Sequence, residues 1–322
     1  MKRIAFIIPY YGKFPNNFEI WCKSVEYNET IDFFIVTDIK ENRIQKKNIV
    51  YIDWTFEKLK SELQKFVEFE ITLETPYKLC EYRPLYGLVF SDYLLDYDFW
   101  GYCDVDLVFG DIRKYLTDQI LDRYDKIYKL GHCTLYRNEE RTNFEWKKKH
   151  NKMAYRYDEA FKTKYACHFD ETGGISDFFD ESRAYNVVCC ADILPKYKQF
   201  RCYELQSDFV KQIFVWKEGK IYGLTYENGK ITKTEYIYVH FQKRHMEICI
   251  HDIENLTVFY MVPNRYIEDV NVELELKNQN RTYLYKEYMN TRLKEICSKI
   301  KSGAIKQRIY RIKKKRKIYE DK

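Results

Sequence analysis

Two aspartates stand one residue apart in the stretch FWGYCDVDLVFGDI, residues 99–112. Asp104 and Asp106 follow an apolar run that predicts a buried strand, and another apolar run, LVF, comes directly after them. Residues i and i+2 of a strand point to the same side, so the two carboxylates would repel each other unless a cation binds them. Mg²⁺ and Mn²⁺ prefer such oxygen ligands and commonly bind a substrate phosphate as well. The pair therefore predicts a metal site for a diphosphate, whereas the alternative, a solvated acidic pair, rarely lies between two apolar runs.

Alternating strands and helices would position this pair. Apolar strands are predicted in KRIAFIIP, FFIVTD, NIVYID and FWGYCDVD, and helices at about 17–26, 55–69 and 83–96. Thr55 is the expected N-cap of the second helix, and Pro84 is expected in the first turn of the third. Such alternation predicts an α/β fold with mostly parallel strands. Ligands of such sheets bind beyond the carboxyl ends of the strands, where the aspartates would lie.

The pattern changes after about residue 110. A strand and loop are predicted at 125–138, and residues 143–190 are irregular. Asn228-Gly229, between two strand-like runs, is a strong hairpin signal. One or two helices are predicted from about residue 283 onward.

Charge is distributed unevenly along the 322 residues. The net charge is +6, yet residues 296–319 contain ten lysines and arginines and no acid. The remainder carries 45 basic and 49 acidic residues, a net charge of −4, so a basic body that binds nucleic acid is not expected. Isoleucines recur at helical spacing among the tail bases, which is typical of helices that lie on anionic membranes. The alternative is a helix packed on the body with a solvated basic end.

The cysteines and the hydropathy bear on the compartment in which we expect the protein. Ten cysteines occur without a CxxC pair, and the apolar run IAFII is too short for an export signal. No run of about 18 apolar residues predicts a membrane span. We therefore expect a cytoplasmic protein, peripheral at the inner face of the cell membrane.

Five short motifs occur in a characteristic order: IIPYYG (7–12), VTD (36–38), YKLCEYRPLYG (77–87), YCDVD (102–106) and VHFQKR (239–244). Together they resemble nucleotide-sugar-dependent glycosyltransferases of the GT-A fold, especially bacterial enzymes of capsule or lipopolysaccharide assembly. The resemblance covers residues 1–245. It implies a Rossmann-like mixed α/β sheet flanked by helices, here with a C-terminal basic helical extension.

The resemblance also implies roles for individual residues. Pro9, Tyr10 and Tyr11 would border the nucleotide, and Asp38 would contact the base or ribose. Lys78 and Arg83 would lie near the donor and its phosphates. Asp104 would touch the ribose or the metal, and Asp106 would bind the metal, Mn²⁺ or Mg²⁺, directly. The alternatives are a strand cap for Asp38 and a surface charge at a helix start for Arg83.

His240 is the implied third metal ligand. Several GT-A families carry a late histidine in a pattern like H-F-x-G-x-x-K, which His240 and Phe241 match. Here the glycine is missing and Lys243 comes earlier than the pattern's lysine. Lys243 and Arg244 could neutralise the leaving diphosphate. A histidine of the core is the alternative for His240.

The catalytic base is predicted in the acidic, turn-rich segment HFDETGGISDFFD, residues 168–180. An inverting transferase needs a carboxylate within reach of the acceptor hydroxyl, and Asp170 or Glu171 is the best candidate. Asp192 is an alternative. A retaining enzyme would need no such base, and the late histidine pattern favours that alternative, so the sequence leaves the stereochemistry open. GHCTLYRN (131–138) would border the acceptor.

These inferences combine into one functional hypothesis. Residues 1–110 would bind the donor, residues 111–275 would bind the acceptor and complete the active site, and residues 276–322 would form the basic tail. The enzyme would move a hexose from a nucleotide diphosphate sugar, by resemblance a UDP-sugar, to a polysaccharide or lipid-linked oligosaccharide. The alternatives are a phosphohydrolase that uses the DxD aspartates, a sugar-phosphate nucleotidyltransferase and a non-catalytic protein of the membrane surface.

Overall fold

The structure is a computed structural model. It describes residues 1–148, 155–171, 173–202, 210–279 and 285–301, and after these only residues 303, 305–306, 308–310 and 312–313.

Strands and helices alternate in the first half of the chain, and strands dominate the second half. The strands are β1 (Ile4–Pro9), β2 (Ile31–Val36), β3 (Ile49–Ile52), β4 (Phe99–Cys103), β5 (Leu107–Phe109), β6 (Lys126–Leu130), β7 (Cys133–Arg137), β8 (Ala184–Tyr185), β9 (Cys190–Asp192), β10 (Lys211–Lys217), β11 (Lys220–Glu227), β12 (Lys230–Tyr236), β13 (Tyr238–His240), β14 (Glu247–Cys249), β15 (Val258–Val262) and β16 (Arg265–Ile267). The α-helices are α1 (Phe18–Glu26), α2 (Phe56–Gln64), α3 (Tyr86–Val89), α4 (Ile112–Tyr115), α5 (Asp118–Arg123), α6 (Glu140–Asn143), α7 (Tyr157–Phe161), α8 (Val272–Lys277) and α9 (Tyr285–Lys301).

The largest sheet among the described residues has seven strands in the order β3-β2-β1-β4-β7-β6-β8. The first four are parallel to one another, whereas β7 runs antiparallel to both β4 and β6. The central strand β1 is buried on both faces: Ala5 and Ile7 pack into one apolar cluster, and Ile4, Phe6 and Ile8 pack into another. The predicted α/β class, a mixed sheet flanked by helices, is confirmed.

Two predicted helices of this half are confirmed. Helix α1 starts directly after Asn17, and α2 starts after Thr55, whose side chain accepts a hydrogen bond from the backbone N–H of Lys58 (3.1 Å). This is the N-cap arrangement that the sequence predicts, because the first N–H groups of a helix have no partner within it. Leu59 and Leu63 bury the inner face of α2.

The predicted helix at 83–96 is wrong. The chain instead forms a long 3₁₀ segment (Pro76–Leu85), the single turn α3 and a short 3₁₀ turn (Ser91–Tyr93). Pro84 lies near the end of the 3₁₀ segment rather than in a first helical turn, and it cannot donate a backbone hydrogen bond. Gly87, which comes next in α3, packs against the indole of Trp100, and a Cβ at this position would lie 2.3 Å from the ring nitrogen. Close packing against β4 therefore replaces regular helix here.

Two smaller sheets complete the described part of the chain. One has six strands in the order β12-β11-β10-β15-β16-β14, and the other has three in the order β5-β13-β9. The predicted hairpin is confirmed between β11 and β12, with φ of 49° at Asn228 and 78° at Gly229. The three-stranded sheet joins residues far apart in sequence next to the end of β4.

The C-terminal part is helical where it is described, with α9 followed by further helical residues up to 313. Among the described helices, none combines the length and the apolar composition needed to cross a membrane. Arg311 and the basic residues 314–317 of the predicted tail lie outside the described residues.

Candidate active site

A cleft of about 620 Å³ opens at the carboxyl ends of β1 and β4. Pro9, Tyr10 and Tyr11 line it on the β1 side, and Asp104 and Asp106 line it on the β4 side. This is the edge at which an open α/β sheet binds its ligands.

Three potential metal ligands meet in the cleft. Ligand atoms of Asp104, Asp106 and His240 all lie within 4.8 Å of one another. The backbone N–H of Asp104 donates to the carbonyl of His132 (2.9 Å), and the carbonyl of Asp106 accepts from the N–H of Phe241 (3.1 Å). These bonds fix the turn between β4 and β5 against two neighbouring segments, so its side chains point into the cleft.

Asp192 orients the histidine. His240 and Asp192 are register partners on the parallel strands β13 and β9, and Nδ1 of His240 lies 2.8 Å from Oδ1 of Asp192. The other ring nitrogen, Nε2, faces Oδ1 of Asp106 at 3.5 Å. A metal-binding histidine typically makes such a bond from its second nitrogen to a carboxylate. The sequence placed Asp192 among the alternative bases; the structure puts it behind the histidine.

The donor set fits a divalent cation. Oδ1 of Asp106 is buried without a hydrogen-bond donor among the described residues, although a buried carboxylate oxygen normally has one. Burial raises the pKa of Asp104, and the nearby Arg83 offsets this only in part. Burial also opposes the protonation of His240, but the carboxylates of Asp106 and Asp192 outweigh it and raise the histidine pKa to about 10. Two carboxylate oxygens and an imidazole nitrogen, all within 4.8 Å of one another, are the atoms that would hold the cation.

Arg83 connects this cluster to the rest of the cleft. Its guanidinium donates to Asp104, to the carbonyl of Gly131 and to Asp170, the last at 3.1 Å. It also lies over the ring of Tyr102, 4.7 Å from the centroid. Burial opposes its charge, but Asp104 and Asp170 outweigh that and raise the pKa of Arg83. Arg83 lines the cleft and holds the first aspartate in position.

Glu81 shapes the opposite wall of the cleft. This fully buried carboxylate accepts three backbone N–H groups, from Cys167 (2.5 Å), His168 (2.8 Å) and Phe169 (3.0 Å). The loop that carries Asp170 and Glu171 is thereby fixed. Sequence reasoning missed Glu81, and only its place in the YKLCEYRPLYG motif could have drawn attention to it.

The two candidate bases have different environments. Asp170 is 1% exposed and is held by Arg83 below the cleft surface. Burial raises its pKa to about 7. Glu171 lines the cleft with 43% of its side chain exposed, beside Gly131 and 3.2 Å from Nδ1 of His168. The hydrogen bond with His168 lowers the pKa of Glu171, so this carboxylate is ionised and accessible at neutral pH.

Two of the predicted donor-binding residues do not line the cleft. Asp38 is exposed beyond the end of β2. Lys78 is buried, and its ammonium donates to the carbonyls of Ala160 (2.9 Å) and Tyr165. Both carbonyls belong to the segment that precedes the loop carrying Glu171. The resemblance implies that Lys78 lies near the donor phosphates, but in the structure its ammonium binds backbone carbonyls.

Lys243 occupies the position of the missing glycine. Its φ is 61°, a left-handed conformation that favours glycine, and its N–H donates to Oδ2 of Asp106 (2.6 Å). Its ammonium lies 4.6 Å from the ring centroid of Tyr77, a cleft residue that sequence reasoning missed. The lysine thus adopts a backbone conformation that favours glycine and adds a positive charge inside the cleft.

Arg244 also lines the cleft, but its guanidinium is engaged by one side chain and by backbone carbonyls. It donates to the side chain of Asn264 (3.0 Å) and to the carbonyl of Lys198 (2.6 Å). Burial lowers its pKa to about 10.

His132 is a further residue of the site, in the segment predicted to border the acceptor. Its ring stacks on that of His240 with centroids 4.0 Å apart, and its Nε2 lies 3.0 Å from the hydroxyl of Tyr238. Burial, together with the charge of His240, lowers the pKa of His132 to about 3. A neutral imidazole therefore packs behind the proposed ligand.

Residues 6–270 match DUF6625, which is described as a family of unknown function. The chain belongs to this family. No curated protein matches the DUF6625 chain. Among solved structures, the galactosyltransferase LgtC in complex with donor and acceptor sugar analogues is 14% identical, with a TM-score of 0.36 over 58% of this chain and 75% of its own. Mouse xyloside xylosyltransferase 1 in its apo form is 10% identical, with a TM-score of 0.33 over 60% of this chain and 88% of its own.

Replacement of Asp106 tests the metal site. Asp106→Asn should weaken Mn²⁺ binding by at least about ten-fold, because it removes an anionic ligand that hard cations prefer. Free Mn²⁺ can be followed by electron paramagnetic resonance during a titration. Asp122→Asn, which changes an exposed aspartate paired with Lys2, is the matched control and should bind Mn²⁺ as the wild type does. Equal affinity in both variants would rule out Asp106 as a ligand.

The burial of Asp170 predicts a pH dependence of stability. Its folded pKa of about 7 exceeds the ordinary value for aspartate, so the folded state binds more protons between the two values. The contribution that protonated Asp170 makes to the free energy of unfolding is complete below the ordinary pKa of aspartate. It is lost as the pH rises through about 7. Between about pH 5 and pH 8, Asp170→Asn should therefore gain roughly 1–3 kcal/mol in free energy of unfolding relative to the wild type.

Urea unfolding of the wild type and of Asp170→Asn, at both about pH 5 and about pH 8, measures this gain in the free energy of unfolding. Effects of pH that are common to the two proteins cancel in the comparison. Asp122→Asn should follow the wild type across the range. Parallel curves for Asp170→Asn and the wild type would show that Asp170 is ionised when folded.

Proposed function

We propose that this DUF6625 chain is a metal-dependent glycosyltransferase of the GT-A type. The observation that carries the proposal is the convergence of Asp104, Asp106 and His240 in a cleft at the carboxyl ends of β1 and β4. A nucleotide-sugar donor carries a diphosphate, and a divalent cation held by two carboxylates and an imidazole can bind that group. The cleft volume of about 620 Å³ suits a ligand of this size.

Each residue around the cleft then has a chemical role. Asp104, Asp106 and His240 would hold Mn²⁺ or Mg²⁺, which supplies positive charge beside the donor diphosphate. The Lys243 ammonium, near Tyr77, offsets the charge of the leaving diphosphate. Tyr10 and Tyr11 border the nucleotide from the β1 side. By the resemblance of the motifs, the donor is a UDP-hexose.

Glu171 is the proposed base of an inverting transfer. As the acceptor hydroxyl oxygen bonds to the sugar carbon, its proton passes to the Glu171 carboxylate and the nucleoside diphosphate leaves. The exposure of Glu171 in the cleft supports this role, and its lowered pKa keeps it ionised, whereas the burial of Asp170 supports a positioning role through Arg83.

The proposed acceptor and the proposed location of the protein rest on the sequence alone. A polysaccharide or a lipid-linked oligosaccharide of capsule or lipopolysaccharide assembly is the proposed acceptor. The basic tail is proposed to contact the anionic inner face of the cell membrane. The division of one domain into a donor half ending near residue 110 and an acceptor half remains a prediction.

A phosphohydrolase is less well supported by the same residues. A nucleophilic carboxylate needs an open approach to its attacking oxygen. One oxygen of Asp104 accepts a hydrogen bond from Arg83, one oxygen of Asp106 accepts from the N–H of Lys243, and the other oxygen of Asp106 is buried and faces His240. Both aspartates are therefore held in fixed positions.

Nucleotide binding tests the proposed function. In calorimetric titrations with UDP, GDP and CDP, with Mn²⁺ or with a chelator, we expect UDP to bind only with the metal. Asp106→Asn should lose at least about ten-fold in affinity, and Asp122→Asn should not. Binding of no nucleotide, or binding that ignores the chelator, would contradict the proposal.

Glu171→Gln tests the base. Release of UDP from UDP-glucose and UDP-galactose, with water as a slow acceptor, should fall by roughly 10²-fold or more. The affinity for UDP should stay within about two-fold of wild type, because Glu171 does not contact the proposed metal ligands. Glu41→Gln, in the exposed loop after β2, is the control. Unchanged release by Glu171→Gln would point to a retaining mechanism or another base.

A further inference from the structure

A glycine in the hairpin of β6 and β7 lies against the proposed base. Gly131 and His132 form the two-residue connection between these strands, and both line the cleft. A Cβ on Gly131 would lie 2.3 Å from Oε1, 2.7 Å from Cγ and 2.8 Å from Cδ of Glu171. Apart from the adjacent residues of the chain, its three nearest atoms would all belong to this one side chain. The missing side chain of residue 131 therefore leaves room for the Glu171 carboxylate.

Backbone conformation does not account for this glycine. Two-residue hairpin connections often contain glycine because it adopts a positive φ at little cost. In this hairpin, however, the residue with a positive φ is Tyr128 (67°), where the register of β6 and β7 shifts, and Gly131 lies outside that region. Alanine could therefore adopt the backbone conformation of residue 131, and what excludes it is the space that Glu171 fills.

The hairpin side of this contact is fixed. The carbonyl of Gly131 accepts a hydrogen bond from Arg83, and the carbonyl of His132 accepts one from the N–H of Asp104 (2.9 Å). Both bonds join the connection to the wall that carries the proposed metal ligands. The hairpin therefore cannot move away from Glu171 without breaking contacts that also hold Asp104.

His168 fixes the same carboxylate from the other side. The N–H of Glu171 donates to the carbonyl of His168 (3.3 Å), which closes a turn, and Nδ1 of His168 lies 3.2 Å from Oε2 of Glu171. The φ of His168 is 60°, and its N–H donates to the buried Glu81 carboxylate (2.8 Å). Histidine is one of the few residues besides glycine that adopt this conformation with any frequency. The imidazole thus faces one oxygen of Glu171, and Gly131 leaves room for the other.

We propose that Gly131 and His168 are positioning residues that aim the Glu171 carboxylate at the acceptor hydroxyl. The inference rests on the proposed function, in which the proton of that hydroxyl passes to Glu171. A glutamate side chain that is free to rotate has many orientations, and fixing one of them before the reaction lowers the entropic cost of the transfer. Displacement of a reacting group by about 1 Å can cost about 10²-fold in rate.

Gly131→Ala tests the room beside Glu171. Release of UDP from UDP-glucose and UDP-galactose, with water as a slow acceptor, should fall at least about ten-fold, because the added methyl group displaces the carboxylate. The metal-dependent affinity for UDP should stay within about two-fold of wild type, since the backbone contacts of residue 131 are retained. Lys129→Ala, in the same hairpin but outside the lining of the cleft, is the control and should match the wild type in both measurements.

Combination with Glu171→Gln shows whether the glycine acts through the base. If it does, Gly131→Ala should change UDP release by less than about two-fold in the Glu171→Gln background, because the displaced group is already inactive there. Equal losses in both backgrounds would overturn the role of Gly131, and so would wild-type release by Gly131→Ala alone. Loss of UDP binding by Gly131→Ala would overturn it as well, because the glycine would then shape the donor site.

Two variants test the imidazole independently of the hairpin. His168→Gly removes the ring, and glycine tolerates the left-handed conformation, so the N–H that binds Glu81 keeps its place. His168→Asn also tolerates this conformation, and its side-chain amide can donate a hydrogen bond in place of Nδ1. UDP release should fall at least about five-fold in His168→Gly and return to within about three-fold of wild type in His168→Asn. Wild-type release by His168→Gly, or equal losses in the two variants, would overturn the role of His168.

The same measurements separate this inference from the proposed function. Metal-dependent UDP binding by the wild type and loss of UDP release in Glu171→Gln both belong to the proposed function. If both are observed while Gly131→Ala and His168→Gly release UDP at the wild-type rate, the positioning role alone is overturned. If the wild type does not bind UDP with the metal, or if Glu171→Gln releases UDP at the wild-type rate, the transferase or its base is overturned and the positioning role with it.

Discussion

The cleft depends on one largely buried guanidinium. Arg83 meets Asp104, Asp170 and the carbonyl of Gly131, and it covers the ring of Tyr102. A cation can be kept away from water only when anions and acceptors surround it, so these contacts are mutually required. Removing Asp104 or Asp170 would leave the charge of Arg83 less compensated, and removing Arg83 would release both segments that carry these carboxylates. The same arginine therefore holds the first aspartate of the DxD pair and the loop that presents Glu171.

The 3₁₀ segment that carries Arg83 acts as a clamp through three charged side chains. Lys78 donates to carbonyls near residues 160–165, Glu81 accepts N–H groups of residues 167–169, and Arg83 binds Asp170. Residues three apart share a face of a 3₁₀ helix, so Lys78 and Glu81 point to the same side, and the long side chain of Arg83 reaches Asp170 from an adjacent face. The described residues between 143 and 190 form only short elements, such as α7 and β8, and this clamp gives part of that segment a defined shape.

Sequence patterns predicted the parts of the fold that depend on local periodicity and turn chemistry. The first helices, the Thr55 cap and the Asn228-Gly229 hairpin follow from neighbouring residues. The helix expected at 83–96 is absent because packing of Gly87 on Trp100 and the charged clamp outweigh helical periodicity. The contact between Asp192 and His240 requires the register of β9 with β13, which no local pattern encodes. Likewise, no local pattern indicated that Lys243 adopts a left-handed conformation.

Adjacent carboxylates on the loop fixed by Glu81 have opposite environments. Burial raises the pKa of Asp170, which faces inward to Arg83, while the hydrogen bond with His168 lowers that of Glu171, which faces the cleft. One carboxylate therefore holds Arg83 in place, and the next stays accessible in the cleft. The backbone hydrogen bonds that Glu81 accepts from residues 167–169 fix the loop in the shape that keeps these two environments apart.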